Sequence, residues 1–301
     1  MSGDADRRAW GDFWQTRRGD SGYPQDALER IDAVQQACWE EFARELPRGA
    51  RVLDLATGSG VVLSRMQRVR RDLKLIGVDS APVLPPAPKG IALKPQVAME
   101  KLPFADASFT AVTSQFGFEY GDTAAIGAEV GRLLRSGGQA RFLMHHVESP
   151  IVAHHLGRRE ALLWAAAESG YLEQARALAA ARRLARLPTP HTFREAVSEA
   201  RSRFPDQPVA EEFVAAILQT LELGERAPPA DVLKVLETLE ERAASELARI
   251  ESLGRAVCDA ERVERIRDDL DAAGLQPEPA EPLSEPGPQV PFGWLLTARR
   301  R

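Results

Sequence analysis

The stretch Val52-Leu53-Asp54-Leu55-Ala56-Thr57-Gly58-Ser59-Gly60 decides the fold of this chain. It predicts a short apolar strand that carries a carboxylate, turns through two glycines and leads into a helix from about Val61. Glycines one residue apart allow positive φ and let bare backbone approach a ligand. The N-terminus of the following helix directs unpaired N–H groups at the turn. The turn is therefore suited to bind an anionic or polar small molecule.

Two ligand classes compete for such a turn. A dinucleotide fingerprint requires Gly-x-Gly-x-x-Gly, and Leu63 stands where the third glycine should fall. The other spacing is Asp-x-x-x-Gly-x-Gly with a second acid after the next strand, which Leu75-Ile76-Gly77-Val78-Asp79 supplies. This combination resembles the class I S-adenosylmethionine-dependent methyltransferases. The resemblance implies that Asp79 accepts both ribose hydroxyls, because an ionised carboxylate can receive two donors. The competing interpretation is an ordinary strand–turn–helix with incidental glycines.

Composition limits the partners that this chain can have. Its 301 residues are 44% hydrophobic with a net charge of −5, so no global basic field attracts nucleic acid or an anionic membrane. The two cysteines, Cys38 and Cys258, have neither zinc spacing nor a disulfide framework. The first residues lack a signal-peptide core, and there is no run of 18 apolar residues. We expect a cytoplasmic protein without a membrane span.

In the proline-rich segment 81–94, Pro85, Pro86 and Pro88 make a long helix unfavourable. A strand over 90–97 should come next, and a second resemblance to the family begins after it. The run from Glu100 to Phe116, with its Leu-Pro-Phe and Ser-Phe, is similar to the small-molecule branch of the family, including quinone-biosynthesis methyltransferases. Members carry an acid for the adenine amino group where this chain has Ala98. The backbone of Met99 and Glu100 is the alternative border for adenine.

The resemblance assigns the cofactor, S-adenosyl-L-methionine, to residues in four segments. Asp54 would orient the loop and the methionine moiety, and Phe118 would join the wall on the methyl side. The predicted cofactor-binding residues are Asp54, Ala56, Thr57, Gly58, Ser59, Gly60, Asp79, Ser80, Met99, Glu100, Gln115 and Phe116.

The predicted architecture is α/β, a Rossmann-like seven-stranded methyltransferase sheet with a mostly helical insertion after the fifth strand. Arg135-Ser136-Gly137-Gly138 should cap the helix at 123–134, and prolines should break an edge strand at 275–283 before the last, antiparallel strand at 291–298. The predicted helices of the insertion are 152–168, 171–186, 190–203, 209–223 and 229–255. The predicted domains are 1–49 (arm and helix), 50–148 (cofactor core), 149–255 (helical insertion) and 256–301 (helix and hairpin completing the core).

Two segments could border the acceptor. The arm before residue 26 carries aromatic side chains that either anchor it or, through Trp14 or Tyr23, cover the cofactor. In the resembled family, insertions such as 149–255 shape the acceptor pocket, so this segment should determine specificity.

A proton acceptor is needed only if the methyl acceptor is a phenol, hydroxyl or amine, since the cofactor carries the reactivity. The catalytic candidates are His145, His154 and Glu119, with Tyr120 and His155 behind them. His146 and His191 are expected to be structural. Two histidine pairs nine residues apart could indicate a metal, but only Glu148 stands near them, so no metal site is predicted.

The sequence therefore predicts methyl transfer from S-adenosyl-L-methionine to a small organic acceptor at oxygen, nitrogen or an activated carbon. Two alternatives remain, an RNA or protein methyltransferase and a cofactor-binding interaction module without catalysis. No nucleic-acid partner is expected, and a homodimer is left open.

Overall fold

The computed structural model of the chain describes residues 25–287 and 290–301. The predictions for the N-terminal arm, with Trp14 and Tyr23, lie outside these residues. The described chain divides into two compact units. We call the residues up to Ala153 together with Ser252–Arg301 the sheet unit, and His154–Glu251 the helical unit.

Eight strands form one sheet in the order β3-β2-β1-β4-β5-β8-β6, with β7 also paired to β8. The first five positions are parallel, and β8 is antiparallel to β5. The strands are β1 (Arg51–Leu55), β2 (Lys74–Val78), β3 (Ile91–Lys94), β4 (Phe109–Gln115), β5 (Leu134–His145), β6 (Leu275–Pro277), β7 (Glu281–Ser284) and β8 (Pro291–Arg300). The predicted methyltransferase-like sheet with an antiparallel last strand is confirmed.

The edge of this sheet explains why eight strands occupy seven positions. Both β6 and β7 pair antiparallel with β8, whose other side is taken by β5. They therefore run in the same direction along one edge, as a single strand interrupted near Pro279. Proline is tolerated there because an edge strand needs only one row of backbone hydrogen bonds.

Both units contain helices, and those of the sheet unit cover both faces of its sheet. The helices are α1 (Gln25–Glu45), α2 (Val61–Val69), α3 (Thr123–Leu133), α4 (Pro150–Leu163), α5 (Tyr171–Ala181), α6 (Thr192–Arg203), α7 (Val209–Leu223), α8 (Pro229–Ala256) and α9 (Ala260–Ala272). Neighbouring residues of β1 belong to different cores: Val52 packs with α1 and α2, whereas Leu53 packs with α3 and α9. This alternation follows from the two-residue period of a strand. The sheet unit thus has three layers.

The second crossover contains no helix, as its prolines predicted. Residues 79–90 connect β2 to β3 without regular structure. β3 is shorter than the predicted 90–97, because Gln96 has a φ of +59° that a strand cannot accommodate.

The predicted cap at Arg135–Gly138 is wrong. Leu134 is the C-cap of α3 and at once the first residue of β5, where it pairs with Phe109. The next pair is Ala111 with Gln139, so residues 135–138 form a bulge in β5. Gly137, with a φ of +71°, provides the left-handed residue that this bulge requires.

The helical unit has a core of its own. Buried apolar side chains of α5 to α8 form one cluster that includes Phe193, Phe213, Ile217 and Leu236. The predicted helix 152–168 is α4 followed by a π-helical turn at Trp164–Glu168, and the helix from 171 ends at Ala181, earlier than predicted.

Candidate functional site

The carboxyl ends of four parallel strands bring the predicted residues to one edge of the sheet. Asp54 lies near the end of β1, Asp79 follows β2, Gln115 ends β4 and His145 ends β5. The order β2-β1-β4-β5 places these ends side by side. In open α/β sheets this edge is where ligands bind.

The glycine loop has a left-handed backbone at three positions. The φ angles are +49° at Ala56, +50° at Gly58 and +74° at Gly60. The loop is tied to β2, since the N–H of Thr57 donates to the carbonyl of Val78 at 2.9 Å. Gly60 is the N-cap of α2 and offers no side chain to the first turn of that helix. The N–H groups there remain suited to a ligand.

Asp79 is buried, with 6% of its surface exposed, and is held by backbone donors. Its Oδ2 accepts from the N–H of Gly58 at 2.9 Å and its Oδ1 from the N–H of Ala81 at 2.9 Å. Burial raises the pKa of this carboxyl, against the lowering effect of these donors. Each oxygen retains a lone pair. The carboxylate therefore fits a diol such as that of a ribose.

Asp54 is bound from both sides by hydroxyl groups. Thr57 Oγ1 donates to its Oδ2 at 2.7 Å, and Thr113 Oγ1 donates to its Oδ1 at 2.8 Å. Burial, reinforced by the charge of Asp79, raises the pKa of Asp54 to about 7. Thr113 was not predicted from the sequence, because its position opposite Asp54 follows only from the β1–β4 register.

The predicted adenine border lies beside β3. Met99 is half-buried against the core, and Ala98 is exposed. The Glu100 side chain is directed at the turn before α3, where its Oε1 accepts from the N–H of Asp122 at 3.4 Å. Ser59 and Ser80 are half-buried beside the loop.

Gln115 connects the site to the first two helices. Its Oε1 accepts from Trp39 Nε1 at 2.6 Å and from Arg65 Nη1 at 3.1 Å, and its Nε2 donates to Gln35 at 3.1 Å. Arg65 is buried and also pairs with Asp32. Burial lowers the pKa of its guanidinium. This network was not predicted from the sequence, in which the four-residue spacing of Gln35 and Trp39 was the available signal.

Two of the three catalytic candidates meet at the end of β5. His145 Nδ1 lies 2.7 Å from Glu119 Oε1, which also accepts from the His145 N–H at 3.0 Å. The ring of Phe116 lies 4.3 Å from the His145 ring, and the ring of Tyr120 lies 5.8 Å from it. The third candidate, His154, belongs to the helical unit.

The other histidines have structural contacts. His146 Nδ1 accepts from the N–H of Glu148 at 3.0 Å, its ring stacks on Trp294, and burial lowers its pKa. His191 forms an exposed pair with Glu195. Within residues 25–287 and 290–301, no three His, Cys, Asp or Glu side chains group as metal ligands. In the same part of the chain, every helix is too short or too polar to cross a membrane.

Comparison with known proteins gives a family match that lies within the sheet unit. Residues 53–142 match the methyltransferase domain family. The ubiquinone/menaquinone biosynthesis C-methyltransferase UbiE of Geotalea uraniireducens is 34% identical over 119 residues, which cover 35% of this chain and 51% of that protein. The chain thus spans about half the length of this curated relative.

Two solved structures resemble the chain at low identity. One belongs to the complex of the Haloferax volcanii Trm112 methyltransferase activator with a methyltransferase, at 13% identity and a TM-score of 0.48, covering 97% of this chain and 96% of that one. The other is an S-adenosylmethionine-dependent methyltransferase of Mesorhizobium loti, at 15% identity and a TM-score of 0.44, covering 88% and 100%.

Proposed function

We propose that the protein, whose residues 53–142 match the methyltransferase domain family, transfers a methyl group from S-adenosyl-L-methionine to a small organic acceptor. The observation that carries the proposal is Asp79, a buried carboxylate fixed by two backbone donors beside the left-handed glycine loop. When bound, S-adenosyl-L-methionine supplies an electrophilic methyl group on a sulfonium.

The chain's own residues divide the work of binding that cofactor. Asp79 accepts the ribose hydroxyls, while Gly58 and Gly60 allow the backbone to approach the methionine portion. Asp54 keeps the loop in place through Thr57 and fixes it to β4 through Thr113. Met99 and Glu100 border adenine, and Phe116 lies on the methyl side.

Two facts support a small acceptor over RNA. The net charge of −5 provides no general attraction for phosphates. The curated relative is named as acting in ubiquinone and menaquinone biosynthesis, so a phenolic or quinol compound is a reasonable first acceptor to try. The assignment of acceptor selection to the helical insertion 149–255 rests on the family resemblance alone.

The test uses S-adenosyl-L-methionine labelled in the methyl group, offered with three pools: small phenols, quinols and amines; total RNA; and a protein extract. We expect label in a small molecule, lost in Asp79→Ala. Label in RNA or protein instead would refute the small acceptor. Cofactor binding without label in any pool would favour the non-catalytic module.

A further inference from the structure

We propose that Glu119 and His145 form a positioned base, and that the methyl acceptor is therefore one that loses a proton from its reacting oxygen or nitrogen. The inference rests on the proposed function and adds to it the chemical class of the acceptor. Its basis is the hydrogen-bonded pair at the carboxyl edge of β4 and β5.

The backbone brings the two side chains together from separate strands. Glu119 lies in the 3₁₀ turn Phe118–Tyr120 that follows β4, and His145 is the last residue of β5. One carboxylate oxygen accepts from the backbone N–H of His145 and lies 2.7 Å from Nδ1 of its ring. His145 is therefore held at its ring and at its backbone, with the rings of Phe116 and Tyr120 beside the imidazole.

This contact determines the tautomer of the ring. An ionised carboxylate only accepts, so the hydrogen of a neutral His145 must be on Nδ1, which leaves a lone pair on Nε2. Among the described residues, Nε2 has no hydrogen-bond partner, and 15% of the side chain is exposed. The unprotonated nitrogen is thus available to another molecule.

The Glu119 side chain is buried, and within the described chain only one of its oxygens is paired. Its side chain is fully buried, and its Oε2 has no hydrogen-bond partner in the described part of the chain. A buried carboxyl with one unpaired oxygen depends on the donors that its other oxygen retains, and His145 contacts that oxygen. A purely structural contact would be served equally well by a neutral amide.

The other charged and titratable groups around the pair leave the role of proton acceptor to His145. Arg262 Nη2 donates to the backbone carbonyl of Glu119 at 2.6 Å. Burial and the charge of Glu119 raise the pKa of the Cys258 thiol to about 12, so it stays neutral. Tyr120 contacts the His145 ring by its edge, and Glu148 lies beyond His146.

Methyl transfer to oxygen or nitrogen releases one proton from the acceptor. The acceptor's oxygen or nitrogen bonds to the methyl carbon while the carbon–sulfur bond breaks, and that electron pair stays on sulfur as a neutral thioether. The acceptor's proton passes to Nε2 of His145. The resulting imidazolium is paired with Glu119 until it releases the proton to solvent.

The first experiment reads the tautomer by nitrogen NMR of the imidazoles in the full-length protein, which requires no acceptor. We expect His145 to carry its hydrogen on Nδ1, and Glu119→Gln to shift the population towards Nε2–H, because an amide can donate to Nδ1. Hydrogen on Nε2 in the unsubstituted protein would overturn the inference.

The second experiment measures methyl transfer to phenol, catechol, a hydroquinone, a primary amine and an imidazole. We expect kcat to fall about 10²- to 10⁴-fold in His145→Asn and in Glu119→Gln. The KM for S-adenosyl-L-methionine and the affinity for S-adenosylhomocysteine should not change. The matched control is His191→Asn, whose side chain is 73% exposed and which should retain full activity.

The two proposals fail in different ways. If the unsubstituted protein does not bind S-adenosylhomocysteine, the proposed function fails, while the tautomer measurement still decides the pair. If the cofactor product binds but no panel member is methylated, or methylation occurs at carbon or survives His145→Asn, the positioned base is overturned.

Discussion

At the residue scale, the site is defined by two buried carboxylates on adjacent strand ends. Asp54 and Asp79 both have raised pKa values because burial disfavours their charged forms. Each is nevertheless fixed by donors that belong to the chain itself. The site is therefore positioned in advance for a ligand that brings positive charge or hydroxyl donors.

Asp54 should make the folding stability depend on pH. Its pKa of about 7 in the folded protein lies above its ordinary value of 3.8, so the folded state holds the extra proton between these pH values. The free energy of unfolding should therefore decrease as pH rises from 4 to 7, by at most about 4 kcal/mol. Asp54→Asn should flatten this dependence. Urea unfolding at pH 4 to 8 measures this dependence in the unsubstituted protein and in Asp54→Asn. An equal dependence of the free energy of unfolding on pH in the two proteins would contradict the raised pKa of Asp54.

How far the sequence predicts the site is clearest at this scale. The spacing of Asp54, Gly58 and Asp79 was enough to predict the loop and its acidic partner. The pairing of Glu119 with His145 was not predictable, although both were candidates. They are 26 residues apart, and their contact depends on a 3₁₀ turn that no local pattern indicates.

At the element scale, the loops after β1 and β4 are packed so closely that the loop after β4 requires a glycine at position 117. Ala56 and Phe116 both have positive φ, at +49° and +54°. A Cβ on Gly117 would lie 2.4 Å from the Cβ of Ala56. The two strand ends therefore constrain each other, and with them the glycine loop.

A double-mutant cycle tests this packing. Gly117→Ala should lower the free energy of unfolding by about 1–3 kcal/mol, as overpacking does. Ala56→Gly alone should have a small effect, because relief of left-handed strain offsets the added freedom of the unfolded chain. Together they should show a coupling of about 1 kcal/mol or more, measured by chemical denaturation. Additive effects would mean that the two loops do not contact as described.

Other features of the elements show what local sequence can and cannot predict. The prolines of 81–94 correctly predicted a crossover without a helix, because proline blocks helices locally. The bulge at residues 135–138 was missed, since glycines after a helix are equally typical of a cap. Only the pairing of Leu134 with Phe109 distinguishes the two.

At the scale of the whole molecule, the sheet unit and the helical unit have separate cores, and the sequence predicts the role of the first better than that of the second. The sheet unit carries every proposed cofactor-binding residue, and its motifs were visible in the sequence. The helical unit was predicted as successive helices from its prolines, yet no motif in it identifies an acceptor. Helical periodicity indicates which side chains pack into a core. The chemistry of an acceptor pocket depends instead on which side chains from different helices lie together.

Because the helical unit has its own core, a substitution in that core should lower the stability of the protein without changing cofactor binding. Ile217 is fully buried in the helical core. Ile217→Ala should lower the free energy of unfolding by about 2–5 kcal/mol. The affinity for S-adenosylhomocysteine should be unchanged below the unfolding temperature. Leu223→Ala on the same helix, at a side chain 76% exposed, is the matched control and should change neither quantity. A loss of affinity in Ile217→Ala would show that the two units are energetically coupled.

Calorimetric titration with S-adenosylhomocysteine tests most directly whether the glycine loop and Asp79 bind S-adenosylmethionine. We expect micromolar affinity, about −8 kcal/mol, and a weakening of roughly tenfold or more in Asp79→Asn, which loses a charged acceptor. Asp268→Asn, on the exposed surface of α9, should bind like the unsubstituted protein. No binding by the unsubstituted protein, or equal binding by Asp79→Asn, would contradict the account.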